Sequence, residues 1–566
     1  MIALVRAIRE GRINRKTLPH DVLSGVVVGV VAIPLAMAFA IACEMSPQQG
    51  LVTAILAGAI VTIFGGSNVQ IAGPTGAFIV VLLGINRDHG IPGLQVAGLL
   101  AGAILVILGV TRLGRVVRFI PHPVTLGFTA GIGVIIFVSQ VPDFLGLALK
   151  ENPREFVSKL GAIGAAIGTT SLPTLAVAGF TLAAIVVFPR ISTRIPPPLV
   201  GMLAGTALFL LWRPAGVATI GTRFGEIPRG FPAPMLPDYD WRRVSELVGP
   251  AFAIAMLGAI ESLLSAVVAD GMTGDSHDPD QELVGQGLAN MVTPIFGGFA
   301  ATGAIARTAT NVRNGGRTPV AGLVHCLTLL VVVLFLAPYA AHVPLACLAA
   351  ILFRVAWRMS EVPAVLRLLK ASGRSDSLVL LVTFGLTVFV DLVVAVEVGF
   401  VLAALLFVKK VAERTGVELI SDPESSPDVL HGLAMPIPPQ IALFSVDGPF
   451  FFGTSHRFEA TLAAVDPRAR VVVVRMWRVT YLDASGQNAL LRVVHAFRRS
   501  GRHVVLAGVG EEVRRVLEGH EISEHLDALD VWSDLEGALA RARMIVTDEG
   551  VAKGRAGGEG TAGTTP

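Results

Sequence analysis

Two short stretches of this chain could do chemistry that the rest could not. "QIAGPTGAF" (70–78) and "FAATGAIARTATN" (299–311) set Gly, Pro and Thr into surroundings rich in Ala, Val, Leu and Ile. In the first, Gly73, Pro74 and Gly76 break backbone hydrogen bonding where an apolar environment penalises unpaired groups most. Each stretch reads as an extended Gly-containing segment that opens a short helix of small residues. Such a helix begins with unpaired N–H groups and the positive end of its dipole. Two such ends facing each other form a cup for an anion. Thr75, Gly76 and Ala77 would line one side, and Thr302, Gly303, Ala304, Ala306 and Arg307 the other. Small side chains let an anion reach the backbone, and the threonines add hydroxyl donors. The competing reading is that these glycines only allow close helix packing; two matched segments favour the cup.

Arg307 is expected about a turn into the second short helix, where a buried guanidinium needs a cavity or a counter-charge. The other intramembrane charge is Glu261, in "LGAIESLLSAVVAD" (257–270). A carboxylate there could carry a proton inward with an anion, pair with Arg307, or bind Na+ together with Ser262 or Ser265. His325, on an apolar face, reads as a packed, hydrogen-bonded core residue rather than a ligand. Cys43, Cys326 and Cys347 lie in apolar segments without metal spacing and read as packing residues. The sequence shows no nucleophile–base arrangement, phosphate loop or metal cluster, so no enzyme, cofactor or metal centre is expected.

The elements that must hold these residues are membrane helices. Of 566 residues, 53% are hydrophobic and 15% charged, and the mean hydropathy of +0.69 is too high for one soluble domain. About fourteen apolar runs recur between residues 22 and 408, which reads as a polytopic α-helical membrane protein. The first run lacks a clear cleavage pattern and is taken as a retained helix. Arg6, Arg9, Arg12, Arg15 and Lys16 place the amino terminus in the cytoplasm, and basic loops recur after even numbers of crossings. The acidic loop 269–282 departs from that pattern. Runs 22–43 and 249–268, like the two broken segments, are offset by about 228 residues, which suggests an inverted repeat of about seven helices. A net charge of +3 gives no reason to expect a nucleic-acid partner.

After residue 410 the pattern changes. A Pro/Ser/Asp-rich linker precedes strand-like and amphipathic helical runs, with Leu490, Leu491, Val494 and Phe497 on one helix face. The expected divisions are a cytoplasmic segment (1–20), a transmembrane domain (21–410), a linker (411–440), a soluble α/β domain (441–545) and a disordered tail (546–566).

The stretches "VQIAGPTGAF", "FIPHPVTLGFTAGIGV", "DQELVGQGLANMVTPIFGGFAATGAIARTATN" and "GGRTPVAGLVH" closely resemble the SulP family of anion transporters. "VVVVRMWRVTYLDASGQNALL" resembles a STAS domain, the module shared with bacterial anti-sigma-factor antagonists. The resemblance covers nearly the whole chain in order. It implies a fourteen-helix, seven-plus-seven inverted repeat split into core and gate domains, with the anion held between the third and tenth helices. It also implies elevator-type movement, a homodimer in the bacterial inner membrane, and STAS domains in the cytoplasm that could meet a partner there. Glu261 matches an eighth-helix acidic position that resembles the sodium-binding aspartate of bicarbonate-transporting relatives; a glutamate leans towards proton coupling. Ala306 stands where many relatives have serine, and Leu35 follows Pro34 where many have glutamine. Ser485 matches the serine phosphorylated in anti-sigma antagonists, against the blander reading of a helix-capping serine. The implied function is secondary active transport of sulfate, bicarbonate or a C4-dicarboxylate such as fumarate, with H+ or Na+ as coupling ion. Alternatives are a passive anion channel or exchanger, a nucleobase–proton symporter of the same fold, and a membrane-anchored signalling protein.

Overall fold

The computed structural model describes residues 1–114, 121–153, 155–192, 195–225, 230–371, 373–390, 392–414, 416–420, 437–463, 465–518 and 530–558. The chain divides into two units, Met1–Ala403 and Ala404–Pro566.

The first unit is helical. Its main elements are α1 (Leu18–Ala42), α2 (Pro47–Phe64), a two-residue strand β1 (Ala72–Gly73), α3 (Phe78–Val110), α4 (His122–Leu145) and α5 (Leu172–Val187). There follow α6 (Val248–Thr273), α7 (Pro279–Val292), β2 (Thr302–Gly303), α8 (Ile305–Arg313), α9 (Val320–Ala340), α10 (Leu345–Met359) and α11 (Arg374–Phe389). Among the described residues, seven helices are long and apolar enough to cross a membrane. Several of the expected runs fall on shorter helices, α8 among them. Large apolar side chains such as Ile107, Leu211 and Phe335 stand exposed, as a lipid-facing surface requires.

The helices sort by packing. α1, α2, α3, α6, α7, α8 and α9 pack chiefly on one another; α4, α5, α10 and α11 form a second group, and α10 meets α1. α3 and α7 approach closely at Gly102 and Gly287, where a Cβ on either would sit 2.6 Å from the other's carbonyl oxygen. Small residues at such crossings are what bring membrane helices together. With most helices apolar all round, their ends are set by caps: Ser46 and Gln49 form a capping box on α2, and Asp278 caps α7 through Gln281 N at 3.1 Å.

Two features differ from the sequence reading. Runs 71–85 and 94–110 fall on either side of Gly90, whose φ of +68° and ψ of 179° break α3 ahead of Pro92, as their separation predicts, but residues 71–77 are not helical. A helix at Phe156–Ala166 lies outside the expected runs, because its Ser, Lys and glycines dilute the apolar signal. Asp391, at the turn between the last two runs, lies outside the described residues.

The second unit holds a five-stranded sheet in the order β3-β4-β5-β6-β7. The strands are β3 (Gly416–Leu419), β4 (Ile441–Asp447), β5 (Val471–Arg478), β6 (His503–Ala507) and β7 (Val531–Trp532). β3 is antiparallel to β4, and the other neighbours are parallel. Val471–Val474 is buried on both faces, which is why that run reads as continuously apolar. β3 and β7 were not foreseen; each is too short for a periodic signal. Leu490, Val494 and Phe497 are buried and Leu491 is half-buried. The last described helix, Leu535–Gly558, runs into the segment expected to be disordered. Residues 559–566 and most of the linker, 421–436, lie outside the described residues.

Candidate functional site

The two broken segments meet. β1 pairs antiparallel with β2, Ala72 opposite Gly303 and Gly73 opposite Thr302. Ala304 N extends the ladder by donating to Ile71 O at 2.8 Å. An antiparallel ladder sends its chains away in opposite directions, so α3 and α8 both begin beside it. Neither helix start carries a side-chain cap, Ala77 preceding α3 and Ala304 preceding α8. Their first N–H groups therefore have no capping side chain to accept from them.

A two-residue ladder leaves the flanking backbone unpaired in a buried place, and polar side chains supply the missing partners. Asn290 accepts from Ala301 N at 2.7 Å and donates to Ala301 O at 2.9 Å. Asn311 donates to Val69 O at 2.8 Å. Thr308 Oγ1 accepts from Ile71 N at 3.0 Å. Glu282, fully buried, accepts from Gly66 N at 2.9 Å, Ser67 N at 3.1 Å, Gln70 Nε2 at 2.9 Å and Gln286 Nε2 at 3.1 Å. Sequence reasoning passed over this set. Its signal was present: Glu282, Gln286 and Asn290 recur every fourth residue, a polar stripe on one face of a membrane helix.

Arg307 lies in the first turn of α8, closer to the cup than expected. Only 3% of it is exposed. Its Nη2 donates to the Pro74 carbonyl of the other segment. Its Nη1 sits 2.8 Å from where a Cβ of Gly73 would be, and Gly73 has a φ of +147°. A side chain at residue 73 would therefore strain the backbone and displace the guanidinium. Nη1 itself is buried without a hydrogen-bond partner.

The other expected site residues divide. Thr75 Oγ1 donates to Glu261 Oε2 at 2.8 Å, which places Glu261 at the first segment, half-buried. Ser262 and Ser265 turn to the second: Ser262 Oγ is 2.8 Å from Thr302 Oγ1 and accepts from Gly303 N at 3.2 Å, and Ser265 donates to Thr308 at 3.1 Å. Thr302 also donates to Gly258 O at 3.0 Å. The three α6 residues thus clamp the broken segments instead of gathering on one point. Gly76 is buried beside Met359, Val355 and Phe39, and Ala77 is buried as well. Ala304 is buried, whereas Ala306 is exposed. His325 is buried, but neither ring nitrogen has a hydrogen-bond partner, contrary to the expected satisfied core residue.

In the second unit Ser485 is exposed at the second position of the Ala484–Arg499 helix. The cap is Asp483, whose Oδ1 accepts from Gly486 N at 2.7 Å, so the capping reading of Ser485 is corrected.

Comparison with known proteins places this geometry in context. A family model described as "Sulfate permease family" matches residues 18–383, and one described as "STAS domain" matches residues 433–538. The chain is 40% identical over 505 residues to the Bacillus subtilis protein named "Putative sulfate transporter YvdB", covering 89% of this chain and 94% of that protein. It is 31% identical over 556 residues to the "Bicarbonate transporter BicA" of Picosynechococcus, covering 94% of this chain and 96% of that one. Among solved structures, the transmembrane domain of a cyanobacterial BicA aligns with a TM-score of 0.61 at 32% identity, covering 69% of this chain and 98% of that one. The murine Slc26a9 anion transporter aligns with a TM-score of 0.83 at 18% identity, over 96% of this chain and 94% of that one, a likeness of fold alone.

Proposed function

The chain belongs to the sulfate permease family and carries a STAS domain, and on that premise we propose that it is a secondary active transporter of small anions. The observation that carries this reading is the pair of uncapped helix starts held together by β1–β2 and spanned by Arg307. Two dipole ends and one guanidinium suit a small oxyanion near the middle of the membrane. Sulfate, bicarbonate and a C4-dicarboxylate such as fumarate are the candidate substrates; the names of the relatives support the first two. Thr75, Gly76, Ala77, Thr302, Gly303, Ala304, Ala306 and Arg307 form the anion site in this reading.

Glu261 couples transport to a proton, with Na+ as the alternative ion. Its contact with Thr75 supports this, because a change in its charge is felt directly at the first broken segment. The helix group containing both broken segments moves as an elevator against the group containing α4 and α10. The chain works as a homodimer of fourteen-span protomers, each a seven-plus-seven inverted repeat, in the bacterial inner membrane. The STAS domain and both termini lie in the cytoplasm, where phosphorylation of the exposed Ser485 would add charge to a helix start.

The test is uptake by proteoliposomes containing the full chain, from a panel of labelled sulfate, bicarbonate and fumarate, under separate proton and sodium gradients. Saturable accumulation driven by one gradient is expected. Downhill flux indifferent to either gradient would instead establish a passive channel.

A further inference from the structure

Behind the anion cup, on one face of α2, runs a row of buried polar groups that begins at Arg307 and continues into residues the proposed transport site does not use. Ala54, Gly58 and Thr62 follow one another at single-turn intervals along that face. At the first level, Ala54 Cα lies 3.3 Å from the position a Gly73 Cβ would take, beside Arg307 Nη1. At the second, the Cβ position of Gly58 is 3.5 Å from Ala72 O and 3.7 Å from His325 Cδ2. At the third, the Thr62 hydroxyl packs against Gly322, one turn before Cys326 on α9. Arg307 Nη1, both ring nitrogens of His325 and Thr62 Oγ1 are all buried without a hydrogen-bond partner.

Orphaned polar atoms are rare in folded interiors, and four in one row call for a common ligand. Arg307 can only donate, neutral imidazole must both donate and accept, and the threonine hydroxyl does both. An anion would satisfy the donors and repel the imidazole's accepting nitrogen. Water satisfies all four.

We propose that Arg307, His325 and Thr62 enclose a file of bound water, and that His325 passes protons along it between the anion cup and the 62–66 end of α2. The proposal rests on the proton-coupled reading of the cup. The ring takes a proton from water at one nitrogen and returns one to water from the other, so only N–H and O–H bonds exchange and charge is conserved. Glu261 of α6 acts on the Arg307 charge from the cup side. α8 contributes the Arg307 charge, and α1 the Val28 carbonyl, outside hydrogen-bond geometry. α9 itself contributes the Cys326 thiol. Asp21 of α1 is spent on Arg317 N at 2.7 Å and on Thr318 at 2.6 Å. A proton resting on His325 adds a second positive charge near Arg307, and an anion in the cup offsets it. Proton and anion entry are thereby linked.

The test uses the full chain in proteoliposomes with whichever labelled anion the wild type accumulates. It compares uptake driven by a pH gradient with anion counterflow at equal pH. His325→Gln keeps hydrogen-bonding capacity but cannot relay a proton. It should lose at least about tenfold of gradient-driven uptake while counterflow continues at the wild-type rate. Thr62→Val, nearly isosteric, should slow gradient-driven uptake severalfold with counterflow unchanged, and it serves if His325→Gln fails to fold. Gradient-driven uptake at the wild-type rate in either folded variant overturns the proposal. If Glu261→Gln abolishes that uptake while His325→Gln does not, the proton-coupled reading stands and the relay falls. A wild type indifferent to a pH gradient overturns both.

Discussion

Arg307 lies against the backbone of Gly73, its Nη1 2.8 Å from the point where any larger residue would place a Cβ. The arginine of one broken segment is thus seated on the glycine of the other, and its reach to the Pro74 carbonyl follows from that seat. Gly73→Ala should cost about 1–3 kcal/mol through backbone strain and also weaken anion binding by moving the guanidinium. Thermal unfolding in detergent, paired with anion titration, separates the two effects. Wild-type behaviour in both would break the link between seat and site.

Arg307→Ala should weaken anion binding at least about tenfold, the scale of one lost charge-assisted hydrogen bond, while the protein remains folded. Arg307→Lys should recover only part of it, since a lysine cannot reach Pro74 O and an anion with one planar fork. Isothermal titration of each variant provides the measurement, and unchanged affinity in Arg307→Ala would contradict the cup.

Glu261→Gln keeps an acceptor for the Thr75 hydroxyl but removes the titrating group. Accumulation driven by a proton gradient should be lost, while anion exchange continues at a measurable rate. Uptake that still follows the gradient in this variant would rule out Glu261 as the coupling residue.

Glu282 is predicted to be a staple. Glu282→Gln would set an amide N–H₂ against donors at Gly66, Ser67, Gln70 and Gln286, leaving one or more unsatisfied. A loss of about 1–3 kcal/mol is expected, read as an earlier unfolding midpoint with substrate preference unchanged. Full stability would show that the carboxylate is dispensable.

At the α1–α2 turn, the hydrogen bond from Arg87 pulls the Glu44 carboxyl below the usual range, with partial burial opposing it. Because the folded-state value is the lower one, this contact stabilises the protein above the unfolded carboxylate range and is lost as pH falls through the depressed value. Glu44 is 39% exposed, so screening should hold its contribution below about 1 kcal/mol. Glu44→Gln should lower the unfolding temperature slightly at neutral pH, and the difference from wild type should vanish on acidification through that range. A difference that persists in acid would assign the effect to packing.

The paired broken segments were legible because backbone breakers are conspicuous among Ala, Val and Leu, and their spacing announced a repeat. Helix ends were less legible: a segment apolar on every face has no periodicity to mark where it stops. That is why the run read from residue 71 becomes helical only at Phe78. Thr75 and Glu261 are 186 residues apart in sequence, and no local pattern could pair them. Glu282 looked like a charge near a loop, and only the position of Gln70 and the Gly66–Ser67 backbone makes it central. Ser485 was identified as a candidate, yet its neighbour Asp483 takes the capping role, a choice between adjacent polar residues that propensity does not decide.

The two-residue pairing of β1 with β2 has a consequence for equilibrium binding. A receptor whose halves are stitched at their midline presents the same donors to a visitor from either compartment. Its intrinsic dissociation constant should then be equal from the two faces, leaving the direction of net flux to the gradients alone.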